Sequence, residues 1–112
     1  MQSEIKDGVL VITLGGNLLG EHSNAPVMEL ITENLAAGNK KVVFNLADMK
    51  FINSTGLGML MTALTKTRNA GGELGLCSLP DQMKKLLQMT KLESIFPLFA
   101  DEASAISTLN SK

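Results

Sequence analysis

Asn53, Ser54 and Thr55 stand in a row, followed by Gly56, Leu57 and Gly58. Each of the first three can cap a helix, and the residues that follow place Leu57, Leu60, Met61 and Leu64 on one helical face. That pattern puts Ser54 and Thr55 at a helix N-terminus, where unpaired backbone N–H groups and the helix dipole favour negative charge. Two chemistries suit a hydroxyl there. It caps the helix by accepting a bond from a first-turn N–H, or it gains and loses a phosphate. Three cap-competent residues are more than one helix end requires. Gly56 and Gly58 are also costly choices, at about 1 kcal/mol each relative to alanine in a helix interior. They make sense where another molecule must approach the backbone closely. By the same spacing Met59 falls on the outer side near Ser54, where a soft apolar side chain suits a partner surface.

Other chemistries find few residues to work with. His22 is the only histidine and Cys77 the only cysteine, and they lie in unrelated segments. A structural zinc site takes about four such ligands, so no metal is expected. Nothing fixes His22 as a base for Ser54. Gly56-Leu57-Gly58 lacks the lysine and the spacing of a phosphate-binding loop, and Gly15-Gly16 precedes a loop rather than a helix. Asp7, Glu21 and Asp48 fall in polar connections with no apolar pocket to tune them as acid or base. By elimination the chain is not expected to be an enzyme or to need a cofactor.

Composition narrows the partners. The chain has 112 residues, 45% of them hydrophobic and 19% charged, with a net charge of -1, which fits one globular domain over 1–112. Its only basic pairs are Lys40-Lys41 and Lys84-Lys85, and it has no Trp or Tyr, so a nucleic-acid surface is not expected. No apolar run is long enough to span a bilayer, and Met1–Lys6 has no continuous apolar stretch of the signal-peptide kind. Cys77 sits in an apolar run as a small buried hydrophobe. A single cysteine suits a reducing compartment, and a cytoplasmic location is expected.

The elements that must position Ser54 follow from pattern. Val9 to Leu14 is a short β-branched run suited to a buried strand, with Ser3 to Lys6 pairing through a turn at Asp7-Gly8. Gly15 and Gly16 end the strand and Asn17 to Asn24 form a loop. A helix is predicted from about Ala25 to Ala37, with Asn24 as N-cap, Pro26 in the first turn and Gly38 as the stop. Lys41 to Leu46 is a central strand, and a polar loop leads from it to the helix opened by Ser54. Leu74 to Ser78 is a further strand. Pro80 starts a helix with Met83, Leu86, Leu87 and Thr90 inward. Ile95 to Phe99, carrying Pro97, is an edge strand, and Asp101 to Leu109 is a final helix. This alternation predicts an α/β fold, with a four- to five-stranded mixed, mainly parallel sheet and about four helices.

At Asn53-Ser54-Thr55-Gly56-Leu57-Gly58 the chain resembles STAS-domain proteins, in particular anti-sigma factor antagonists. Their hallmark is a strand followed by an Asp-Ser-Ser/Thr-Gly-Leu-Gly segment opening a helix. Val42 to Leu46, Gly71 to Leu74 and Met83 to Leu92 fit the same pattern, so the resemblance covers essentially the whole chain. It implies a mechanism. The dephosphorylated antagonist binds an anti-sigma factor that is also a serine kinase, and a sigma factor is released. The kinase phosphorylates the serine after the acidic position, here Ser54, and a PP2C-type phosphatase reverses the step. Thr55 is then the neighbouring, normally unmodified hydroxyl. The partner surface implied comprises Glu21, Asn53, Ser54, Thr55, Gly56, Gly58 and Met59.

Two positions depart from that pattern. Asn53 stands where the family carries Asp, which removes a negative charge beside the target. The loop after the second strand is longer, and Glu21 is its acidic residue. A second role stays open on these residues: a constitutive STAS subunit of a membrane lipid or anion transport complex, without phosphorylation. The sequence leaves the oligomeric state open.

Overall fold

The computed structural model describes residues 2–18, 21–52 and 54–111, and of residues 16–18, 21–24, 51, 54 and 55 it describes the backbone alone. Strand β1 (Gln2–Lys6) pairs antiparallel with β2 (Val9–Thr13). The connecting Asp7 and Gly8 both have positive φ, 52° and 78°, as a two-residue hairpin turn demands. Strands β4 (Lys41–Asn45), β6 (Glu73–Cys77) and β7 (Leu98–Phe99) add in parallel, giving the order β1-β2-β4-β6-β7. The edge position expected for the Pro97 segment is where β7 lies.

Four helices cover this sheet unequally. Leu10, Ile12, Val42, Phe44, Leu74 and Leu76 point to one face and form the larger core. Three helices pack on it: α1 (Glu21–Ala36), α2 (Ser54–Asn69) and α3 (Asp81–Met89), with a 3-10 turn at Leu92–Ser94 after the last. The alternate residues Val9, Val11, Val43 and Cys77 point the other way. There α4 (Glu102–Asn110) covers them with Ala105, Ile106 and Leu109, and Phe99 packs at the side. Asp101 caps α4, its carboxylate accepting from the Ser104 N–H at 2.8 Å. Gly38 follows the end of α1 with positive φ, as expected, and Gly71 follows α2 in the same way. Gly72 admits no side chain, because an added Cβ would stand 2.1 Å from the Lys40 carbonyl oxygen.

Several expectations are corrected. Helix α1 begins at Glu21, four residues before Ala25, so Asn24 lies inside the helix rather than at its cap. Pro26 is the sixth helical residue rather than part of the first turn, and the His22 carbonyl therefore receives no helical bond from it. The presumed loops hold two strands, β3 (Gly16–Leu18) and β5 (Met49–Ile52), which pair in parallel as a separate two-stranded sheet. Each is too short to show a period, and their partnership spans more than thirty residues of chain. In α3, Met83 and Leu87 are buried and Leu86 is half-buried, while Thr90 is exposed and hydroxyl-bonded to the Leu86 carbonyl at 2.8 Å.

Candidate functional site

Strand β5 delivers the chain to the start of α2 within two residues, since it ends at Ile52 and the helix begins at Ser54. Asn45 closes the preceding turn. Its side-chain oxygen accepts from the Ala47 N–H at 3.0 Å, and the Met49 N–H donates to the Leu46 carbonyl at 3.1 Å. The parallel partner β3 then fixes the direction in which β5 leaves the sheet. Ser54 is the first helical residue and Thr55 the second. Asn53, and the side chains of Glu21, Ser54 and Thr55, lie outside the described residues.

The electrostatics of this helix end are one-sided. No acidic residue occupies the first turn of α2, whereas Lys66 and Arg68 sit in its last turn, where cations oppose the dipole favourably. The positive end at Ser54 therefore has no carboxylate of its own first turn against it.

The two glycines differ. Gly56 is buried. Gly58 is exposed, and a Cβ added there would meet nothing within 4 Å among the described residues. Packing among the described residues thus gives no reason for a glycine at 58, and the Thr62 hydroxyl donates to its carbonyl at 3.0 Å without needing one.

Met59 is a correction. It is 4% exposed and belongs to the larger core with Leu60, Ala63 and Leu64. Leu57 and Met61, assigned to the buried face by spacing, are only half-buried. The apolar stripe of α2 is rotated from the one read in sequence, because the helix is wedged between α1 on one side and β6 below. The small Ala63 and the fully buried Thr67, whose hydroxyl donates to the Ala63 carbonyl at 2.8 Å, mark its true inner line. An alanine and a threonine carry little hydrophobic signal, so a reading led by leucines passed them over.

Sequence reasoning also missed a shallow groove of about 190 Å³ beside β5. Met49, Ile52, Met83 and Leu86 give it apolar walls, and Lys50 and Gln82 stand at its rim. Cys77 lies on the opposite face of the sheet, fully buried beneath α4, and burial pushes its thiol up to about 11. The described residues hold no cluster of three or more His, Cys, Asp or Glu able to hold a metal ion. No helix among them is long and apolar enough to cross a membrane.

Comparison with known proteins bears on this arrangement. Residues 1–105 match the model of the STAS domain. The Anti-sigma F factor antagonist of Paenibacillus polymyxa is 27% identical over 109 residues, covering 97% of this chain and 93% of that protein. The anti-sigma factor antagonist SpoIIAA in its unphosphorylated form shares the fold with a TM-score of 0.77 at 21% identity, over 99% of this chain and 98% of that one. The Bacillus cell fate determinant SpoIIAA in the phosphorylated form does so with a TM-score of 0.75 at 23% identity, over 96% of each. With a sheet and helices of this order, and a family match over nearly its full length, the chain belongs to the STAS domain family.

Proposed function

We propose that this chain is an anti-sigma factor antagonist, a protein-binding module switched by phosphorylation of Ser54. In its dephosphorylated form it binds an anti-sigma factor that is also a serine kinase, and a sigma factor is released. Phosphorylation by that kinase ends the interaction, and a PP2C-type phosphatase restores it. The module works in the cytoplasm and performs no catalysis of its own.

The observation that carries this reading is Gly58. It sits one turn from Ser54 on an exposed helix surface that the described residues leave open. A glycine there costs helix stability, and a partner's close approach supplies a reason for it. The absence of acidic residues from the first turn of α2 supports the switch. A phosphate brings about -1.5 to -2 charges at neutral pH, and a helix N-terminus tolerates them. The fold persists while the outward surface changes sign. Glu21, Asn53, Ser54, Thr55, Gly56 and Gly58 form the contact surface in this reading, and the groove beside Lys50 extends it.

The test is capture from a lysate of the source organism on Ser54→Ala and Ser54→Asp forms, read by mass spectrometry. A serine-kinase-like ATPase held by the alanine form and lost from the aspartate form is the expected result. The same partners on both, or a transporter subunit instead, would reduce Ser54 to a helix cap.

A further inference from the structure

We propose that β1 pairs edge to edge with β1 of a second copy of this chain, antiparallel about a two-fold axis at Ile5. Strand β1 is the end strand of the five-stranded sheet, and four of its five residues are exposed. The hairpin closes with Lys6 opposite Val9 across a two-residue turn. Hydrogen-bonded and non-hydrogen-bonded pairs alternate along an antiparallel ladder, so Lys6, Glu4 and Gln2 turn their N–H and C=O groups toward β2. Ser3 and Ile5 turn theirs outward, an open template for another strand.

Charge selects the occupant and the register. With the axis at Glu4, each Glu4 would face the Glu4 of the other copy. With the axis at Ile5, each Glu4 faces a Lys6, and the two Ile5 side chains meet on the opposite face. Directly opposed unlike charges favour such a pair and like charges oppose it. Ile5 is 54% exposed although its partner Leu10 is buried, so a neighbour gives it the cover that the helices do not. Lys6 already bonds Glu4 and Glu102 at 3.0 and 2.6 Å, and its ammonium has a third donor for the carboxylate of the second copy. Charged residues commonly guard an edge against pairing. Here they guard against the Glu4-centred register and favour the Ile5-centred one. So few residues bury less than the roughly 1,000 Å² of a stable interface, so the dimer is weak.

Sedimentation velocity of the full chain, from about 10 μM to about 1 mM, tests this. The sedimentation coefficient should rise with concentration, and less so in high salt. Ile5→Pro removes an outward N–H that β2 does not use, and should weaken association at least about tenfold while circular dichroism stays unchanged. Glu4→Lys sets lysine against Lys6 and should weaken it by a similar factor. Should Ile5→Pro fail to fold, Glu4→Lys decides alone, because the Glu4 side chain is 63% exposed and supports no core. A monomer at every concentration, or association that Glu4→Lys leaves unchanged, overturns the proposal.

Discussion

Glu102 at the start of α4 accepts a hydrogen bond from the Lys6 ammonium at 2.6 Å, joining the first strand to the last helix. The other carboxylate oxygen of Glu102 accepts from the Asn45 amide at 3.3 Å, so one side chain holds β1, β4 and α4 together. The Lys6 bond holds the Glu102 carboxyl below the usual carboxylate range, against a weaker opposing push from burial. Glu102 in turn raises the Lys6 ammonium above its ordinary value.

The signs give a pH window. The depressed Glu102 carboxyl stabilises the fold above the unfolded value of about 4.3, and this is lost as pH falls through the lower folded value. The raised Lys6 contributes fully below its unfolded value of about 10.4 and is lost only as pH rises through the higher folded one. Glu102→Gln should therefore melt below wild type at pH 7. The gap should close as pH falls through the lower folded value of Glu102, below which both proteins carry a neutral side chain. Melting curves across pH check this, and a gap independent of pH would refute the assignment.

Met59 separates core from surface. As a buried side chain it should cost about 2–5 kcal/mol on replacement by alanine. Denaturant unfolding of Met59→Ala measures that loss. A variant as stable as wild type would return Met59 to the outer surface.

Gly58→Ala should act in the opposite direction. The site is open and helical, so alanine should add up to about 1 kcal/mol of stability. In the proposed function it should also weaken partner binding, since the added methyl stands where the partner approaches. Unfolding and binding measured on one preparation distinguish the two effects. Gain in both would leave Gly58 without a functional reason.

Cys77 should be inert in the folded protein. It is fully buried and its thiol is pushed up to about 11, so little thiolate exists at pH 8 and reagents cannot reach it. Mass spectrometry after iodoacetamide treatment should show no adduct in buffer and one adduct in denaturant. Labelling without denaturant would mean that α4 opens readily.

Much of this architecture was legible because it rests on local rules. Asp7-Gly8 announced a hairpin, Gly38 announced a helix end, and the runs Val9–Leu14 and Lys41–Leu46 announced buried strands. What failed depends on neighbours. β3 and β5 exist through each other rather than through any pattern of their own, and α1 extends four residues upstream despite the Pro26 that seemed to mark its start. At the candidate site the position of Ser54 at the head of α2 was readable from caps and glycines. The facing of Met59 was not, because the packing of α1 and β6 decides how α2 is turned.

The separation of α4 from α2 by the sheet has a practical side. A label or anchor attached beyond α4 projects from the back of the molecule, away from the α2 surface, and leaves that surface clear for measurement. Coupling through the Lys50 amine would do the reverse, because Lys50 lines the groove beside β5, the strand that leads into α2. On a sensor chip, the chemistry of immobilisation therefore decides whether the α2 side of this molecule is seen at all.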